Sequence, residues 1–326
     1  MTPTSEESVE SAAPAASWKK LLPWVVAAAL IAFTLSQTTM AEIQASLTGA
    51  DWGLFWGTMF GLYLVLFAVD SACVWWVYRR YHVPEIRFAD VWPARGASYL
   101  LGILNYAAGS AAMAVYFKRR FNVGIIAGGA SLLLLMVVDL GLVILAVLLG
   151  GSALPPEAAE ARPWILAIGA AFGAGALGHL VFWRATWSWG PLERIRDLPQ
   201  LKGFREATVL DYAKLAIIRA PVTAIYIAMH VLTLKAFGIE VPFVSMLVYV
   251  PIQMLVAAIP ISPSGLGTVQ AVQLVLYASY ATEAQIVPYG LALAFGFNIP
   301  RMLLGLLCLR PAEKAMALAT PQEDAP

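Results

Sequence analysis

Charged residues are scarce in this 326-residue chain: Asp, Glu, Lys and Arg make up 13% of it, whereas apolar and aromatic residues make up 60%. A soluble domain carries about 25% charged residues to hydrate its surface, so a water-soluble globule is excluded. The net charge of +1 gives no electrostatic basis for binding nucleic acid. Only two cysteines are present, and they lie far apart in apolar runs, which fits neither a disulfide framework nor a metal site.

Long apolar runs without charge indicate an all-α polytopic membrane protein, because a helix needs about 20 apolar residues to cross the hydrocarbon core. We expect a single transmembrane domain over 18–310, between a disordered polar leader at 1–17 and a short cytoplasmic tail at 311–326. The polar leader favours an uncleaved signal anchor over a cleaved signal peptide. The runs lie near Leu21–Ser36, Trp52–Val77, Gly96–Phe117, Val123–Leu149, Trp164–Trp187, Ala213–Phe237, Val241–Thr282 and Ile286–Leu309.

The run Val241–Thr282 is too long to be one helix. It contains no Asp, Glu, Lys, Arg or His, and as a single helix it would be about 63 Å long, twice the thickness of the hydrocarbon core. Two prolines and two glycines fall between Pro260 and Gly267 and predict a break there. The break is either a surface loop or the turn of a re-entrant hairpin, and the absence of charge favours the hairpin.

The distribution of basic residues predicts the topology. If Gly96–Phe117 and the second hairpin each enter and leave on one side, only Arg162 and Lys235 lie outside, as the positive-inside rule expects. Both termini are then cytoplasmic, and the chain contains an inverted-topology repeat with units at about 52–149 and about 213–309. Such repeats with broken helices are typical of secondary transporters. The alternative is that the two units are a chance pairing of hydrophobic segments.

The segment Ile259–Gln270 resembles a motif of the lysylphosphatidylglycerol synthase transmembrane-region family, also called flippase-like domain proteins. That motif reads Leu-Pro-x-Ser/Thr-Pro-Gly-Gly-Leu-Gly-x-x-Glu, and here Ser264 replaces a glycine and Gln270 the carboxylate. An earlier family half-motif is similar to Asn105–Gly109, without its proline and acid. The resemblance implies an integral inner-membrane protein that moves or handles lipids. Some relatives continue into an aminoacyl transferase domain, which we do not expect here because the chain ends soon after its last span.

Ionisable side chains within the spans are the main functional candidates, since each costs about 2.5–3.5 kcal/mol to insert. Asp139 and Arg301 lie at equivalent depths in the spans that follow the two hairpins. We expect them to pair with each other or with a hairpin, either as a structural pair or at a bound substrate. Arg219 is interpreted either as snorkelling to the interface or as binding a headgroup. Asp70 is expected to bond a neighbouring helix.

These residues predict a binding site for a lipid with an anionic headgroup. The freed backbone of the second break and the helix start after it would attract phosphate, and Arg301 would bind it bidentately. A neutral Gln270 argues against proton coupling at that position. We predict no catalytic residue, metal or cofactor, and a substrate site formed by Asn105, Asp139, Arg219, Pro260, Ser262, Ser264, Gly265, Gly267, Gln270, Asn298 and Arg301.

The function that best fits this pattern is a lipid transporter or flippase-like protein, with membrane lipids as its partners and no nucleic acid. An intramembrane lipid-modifying enzyme is the first alternative, but it would need clustered acids or a nucleophile–base pair, and the sequence shows neither. A non-transporting assembly subunit of a lipid or envelope pathway is the second alternative. The oligomeric state stays open, and a homo-oligomer is among the states allowed.

Overall fold

The computed structural model describes residues 18–36, 38–103, 106–151, 162–184, 190–259, 262 and 265–317. No strand occurs in these ranges. The predicted leader at 1–17 lies outside them. The helices are α1 (Trp18–Leu35), α2 (Met40–Gly49), α3 (Trp52–Tyr81), α4 (Phe88–Gly102), α5 (Tyr106–Phe121), α6 (Ile125–Gly151), α7 (Arg162–Arg184), α8 (Gly190–Arg196), α9 (Lys202–Glu206), α10 (Val209–Ala236), α11 (Phe243–Ala258), α12 (Thr268–Tyr277) and α13 (Glu283–Ala317).

Five of the described helices are long and apolar enough to cross a membrane, namely α3, α6, α7, α10 and α13. Segments of α1 and α2 would form a sixth span if they are counted together, although they bend by 87° relative to each other. These helices confirm the prediction of an all-α polytopic membrane protein. No residue in the apolar window of α7 is buried by the rest of the chain, so this helix lies at the edge of the bundle.

Both predicted hairpins contain a helix break. α4 ends at Gly102 and α5 begins at Tyr106, while α11 ends at Ala258 and α12 begins at Thr268. The four helices are short, since even the longest has 16 residues. Helices of this length are expected of segments that turn back within a membrane. The side of the membrane on which each pair opens stays a prediction.

The two predicted repeat units pack on each other's hairpins. α13 packs along α4, α6 packs along α11, and α3 packs along α10. Glycine allows the close approach of α13 to α4, because a Cβ on Gly305 would lie 2.6 Å from Leu100 Cγ. The second long helix of each unit therefore covers the first hairpin helix of the other. An inverted repeat would produce this exchange of partners, although the repeat itself stays a prediction.

Some of the described helical segments were not predicted, among them α2 and the end of α13. α2 follows a capping box in which the Thr39 N–H donates to the Glu42 carboxylate at 2.8 Å and the Glu42 N–H donates to Thr39 Oγ1 at 3.3 Å. The Thr-x-x-Glu spacing is the signal that could have identified this helix. α13 continues to Ala317, although the prediction ended the last span near Leu309. Strong helix formers at 312–317 explain the extension.

We predict that a cysteine introduced at Arg119 or Arg205 will react only with reagent on the cytoplasmic side. Both side chains are exposed, and both lie at the predicted cytoplasmic end of the bundle. Gly203 is buried and therefore a poorer position for labelling. A cysteine at Glu160, outside the described residues, should react only from the opposite side. Labelling with a membrane-impermeant maleimide in intact cells measures this, and external reaction at Arg119 would end the inverted-repeat interpretation.

Candidate functional site

Four helices are joined by a network of arginine and aspartate side chains. Arg219 on α10 donates from Nη1 to Asp70 on α3 at 2.5 Å, and from Nε and Nη2 to both oxygens of Asp139 on α6 at 2.5 and 2.6 Å. Asp70 also accepts from Arg95 Nε at 2.5 Å and from the Tyr99 hydroxyl at 2.9 Å, both on α4. The side chains of Arg219 and Asp70 are 6% and 7% exposed, so their charges interact with little solvent screening.

The network changes two interpretations made from the sequence and confirms a third. Asp139 pairs with Arg219 and not with Arg301, because the faces of α6 and α10 that carry these residues lie against each other. Arg219 neither snorkels nor lies free for a headgroup, since two carboxylates share its guanidinium. The expectation that Asp70 bonds a neighbouring helix is confirmed, and it does so twice. The sequence did not identify Arg95 as a buried residue, because Arg95 lies just outside the apolar run Gly96–Phe117.

Arg301 lies beside this network and has no carboxylate partner among the described residues. Its Cζ lies 5.5 Å from the centre of the Tyr99 ring, and Arg95 Cζ lies 5.2 Å from the same ring. Its Nε is buried and lacks a hydrogen-bond partner in the part of the chain that the structure describes. The guanidinium reaches the last turn of α4, because a Cβ on Gly102 would lie 3.3 Å from Arg301 Nη2. The negative end of the α4 dipole therefore faces this cation.

Arg301 lies at the first helix break, whereas the sequence interpretation placed it at the second. α13 contacts both hairpins, at different heights. Gly290 packs against Gln270 and Gln273 of the second hairpin, and Arg301 lies about 16 Å farther along the helix, at a rise of about 1.5 Å per residue. Hydropathy does not show which hairpin packs against each turn of α13, so the sequence could not place Arg301 at the first break.

The five charged residues do not balance. Asp70 and Asp139 contribute two negative charges, while three arginines contribute three positive ones, so one positive charge is left over within the described ranges. The α4 dipole offsets only part of that charge, and a charge at membrane depth is unfavourable unless a counter-ion or water reaches it. Arg301 is the arginine of the three that lacks a carboxylate partner in the described ranges, since Arg95 and Arg219 are paired.

Polar side chains at the second break form hydrogen bonds within the turn and to α13. Gln270 Oε1 accepts from the Gly267 N–H at 2.6 Å, and Gln270 Nε2 donates to the Gly290 carbonyl oxygen at 3.0 Å. The amide therefore caps the first turn of α12 and ties it to α13. An ionised carboxylate in place of Gln270 would have no proton to donate to the Gly290 carbonyl. Ser262 Oγ lies 3.1 Å from Thr268 Oγ1, within the same turn.

The glycines of the second break pack closely, Gly265 against Ala257 of α11 and Gly267 against α1. Gly265 and Gly267 have φ of 72° and 82°, which side chains rarely allow. A Cβ on Gly267 would lie 2.7 Å from Leu30 Cβ on α1. α1 occupies the space beside Gly267, and Gln270 accepts from the Gly267 N–H, so this residue is not open to a phosphate. The phosphate site that the sequence interpretation expected at the rest of the break stays a prediction. Pro260, Ser264 and Asn105 lie outside the described residues.

The remaining predicted residue, Asn298, is bonded within its own helix, because its Nδ2 donates to the Ala294 carbonyl oxygen at 2.8 Å. The predicted set therefore separates into two places. Asp139, Arg219 and Arg301 lie in or beside the charge network at the first hairpin. Ser262, Gly265, Gly267 and Gln270 stabilise the turn of the second hairpin.

The histidine at the end of α3 is a structural residue. His82 Nε2 lies 2.7 Å from Ser131 Oγ on α6. Burial lowers the pKa of His82, and the charge of Lys202 lowers it further. The ring is therefore neutral at pH 7 and holds α3 against α6. No group of three or more His, Cys, Asp or Glu side chains arranged to hold a metal occurs in the described part of the chain.

We predict that Gly267→Ala will lower the stability of the protein by about 1–3 kcal/mol, the cost of a strained backbone conformation, with the clash against Leu30 added to it. The melting temperature of the purified protein in detergent measures the effect. Gly173→Ala on α7 is the matched control, because a Cβ there meets nothing within 4 Å. Equal melting temperatures for the two variants would contradict the role assigned to Gly267.

The chain was also compared with known proteins. A profile of the family described as the lysylphosphatidylglycerol synthase TM region matches residues 20–305. The match runs from the first turn of α1 into the second half of α13, so it covers both hairpins and every residue of the charge network. No curated protein matches the sequence.

Proposed function

Since the chain belongs to the lysylphosphatidylglycerol synthase TM-region family, we propose that it transports a lipid with an anionic headgroup across or within the bilayer. Family and apolar helices together make it a multi-pass membrane protein of lipid metabolism or transport. The observation that supports transport of an anionic lipid is Arg301, a cation at membrane depth without a carboxylate partner in the described ranges.

Arg301 has the chemistry that a phosphate requires. A guanidinium presents parallel N–H donors that match two phosphate oxygens, and here Nε is buried and unbonded within the described residues. One negative charge would neutralise the cluster, whereas a second would reverse its sign. The site is therefore matched to a phosphodiester headgroup with a single negative charge. A zwitterionic headgroup would bring an ammonium group toward arginines that already outnumber the acids.

The paired charges around Arg301 provide a rigid support. Arg219 holds α3, α6 and α10 together through two carboxylates, and Arg95 ties α4 to the same Asp70. A fixed set of charges loses little conformational entropy when a ligand binds. The break after Gly102 lies within reach of Arg301, and broken helices at such positions are common around transporter substrate sites.

We propose transport without catalysis or a cofactor, in the inner membrane with both termini cytoplasmic. An enzyme built on the buried acids of this network would need one of them free to act as a base, and Arg219 pairs with both Asp70 and Asp139. An assembly subunit that binds lipid without moving it is the second candidate. It would explain the same uncompensated cation, and only a transport measurement separates it from a transporter.

A headgroup-resolved flipping assay in proteoliposomes tests the proposal. Purified protein is reconstituted into phosphatidylcholine vesicles with trace phosphatidylglycerol, phosphatidate or phosphatidylethanolamine, with and without an imposed pH gradient and membrane potential. We expect phosphatidylglycerol to cross fastest. No acceleration over protein-free vesicles for any lipid under any of these conditions would reject transport. Binding of phosphatidylglycerol without movement would identify the assembly subunit.

A further inference from the structure

An apolar groove lies between α3 and α13, and the Tyr63 and Tyr99 rings separate its inner end from Arg301. Its volume is about 180 Å³. On each helix the lining residues recur at intervals of three and four, so each helix contributes one face. Those residues are Phe60, Tyr63 and Leu64 from α3 and Pro300, Leu303, Leu304 and Leu307 from α13.

The inner end of the groove connects to the charge network. Tyr63 is 4% exposed, and its ring centre lies 6.2 Å from that of Tyr99, on which Arg301 stacks. Pro300 directly precedes Arg301 in α13. The outer end is open, since Leu64 and Leu307 are 56% and 73% exposed. A molecule lying in this groove would therefore have one end in the lipid and the other against Tyr63, with the Tyr99 ring between it and the unpaired cation.

We propose that this groove is an acyl-chain subsite and the lateral opening through which a lipid reaches Arg301. The inference rests on the proposed function and specifies how its substrate binds. An apolar slot, with a cation beyond its inner end that has no carboxylate partner among the described residues, matches the two parts of an anionic lipid. A free phosphate diester would use Arg301 but leave the groove empty, and a purely apolar occupant would leave Arg301 without an anion.

The groove holds a segment of one chain. Its volume equals that of about six water molecules at about 30 Å³ each, which is too small for a whole lipid. Lipid tails are as apolar as the groove, so filling it supplies little driving force in a bilayer. Its contribution is to position the lipid, because a chain held between α3 and α13 brings the phosphate to Arg301. Obstruction should therefore slow transport by blocking access.

The first test obstructs the groove with Leu64→Trp and Leu307→Trp together. We expect phosphatidylglycerol flipping to fall at least tenfold with an unchanged melting temperature, because both side chains face outward. Leu306→Trp is the matched control, since Leu306 is 53% exposed on the same helix but does not line the groove. We expect it to stay within twofold of the wild type. Equal rates for the double variant and the control would overturn the groove while leaving the proposed transport intact.

The second test does not depend on transport. Phosphatidylglycerol with a diazirine in its acyl chain should label α3 and α13 at the groove, and Arg301→Gln should reduce that labelling at least fivefold. Labelling by the matching phosphatidylcholine should not change. If Arg301→Gln leaves phosphatidylglycerol labelling unchanged, the groove is ordinary lipid-facing surface and the inference fails. If soluble glycerophosphoglycerol displaces the probe as well as intact phosphatidylglycerol does, the site takes a free phosphodiester and the groove has no part in binding.

Discussion

Arg219→Leu should prevent the protein from accumulating in a folded form, with a loss of about 3–5 kcal/mol, the range for removing one partner of a buried ion pair. The substitution leaves Asp70 with one cation fewer and Asp139 with none among the described residues. Both carboxylates lie within long apolar helices, where an uncompensated charge is unfavourable. Folded yield by size-exclusion chromatography and the melting temperature in detergent measure the loss.

A double variant isolates the cause of that loss. Arg219→Leu with Asp139→Leu removes one charge of each sign and keeps the pair between Asp70 and Arg95 intact. We expect it to regain most of the lost stability, because no carboxylate is left without a cation. Arg194→Leu, at an exposed position on α8, should have no measurable effect. If the double variant is no more stable than the single one, the loss does not come from a stranded charge.

Arg301→Ala should reduce phosphatidylglycerol flipping by about tenfold to a hundredfold, which corresponds to a charged hydrogen bond of about 1.5–3 kcal/mol. Its melting temperature should stay near that of the wild type, because Arg301 forms no ion pair within the described ranges. Arg301→Lys should retain part of the activity, since lysine keeps the charge but not the fork of donors. The proteoliposome assay measures all three proteins under identical conditions.

Measuring stability and transport separately distinguishes a substrate-binding role of Arg301 from a structural role. If Arg301→Ala unfolds as readily as Arg219→Leu, the cation serves the fold. A fully active Arg301→Ala would remove it from the substrate site. A charge swap of the two residues that the sequence expected to pair, Asp139→Arg with Arg301→Asp, does not separate these roles. Asp139→Arg would place a second guanidinium against Arg219 and destabilise the network for that reason alone.

Much of the architecture is predictable from local features. The apolar runs near Trp52–Val77 and Val123–Leu149 correspond to α3 and α6 within a few residues at each end. Proline and glycine predicted the break between α11 and α12, because their effect on the backbone depends on no distant partner. The family motif at the second break was also visible in the sequence, because its residues bond to near neighbours in the chain. Gln270, for example, caps a helix that begins two residues earlier.

The sequence by itself determined which segments are apolar enough to span, where proline and glycine break the chain between α11 and α12, and how far along their helices Asp139 and Arg301 lie. Only the tertiary structure decided the partners: Arg219 with Asp139 and Asp70, Arg301 at the first break, and Gly267 against α1. A position along a helix gives depth, but contact also needs the rotation of that helix and the identity of its neighbours. Those are set by packing between segments 80 and 149 residues apart, as the two bonds of Arg219 show.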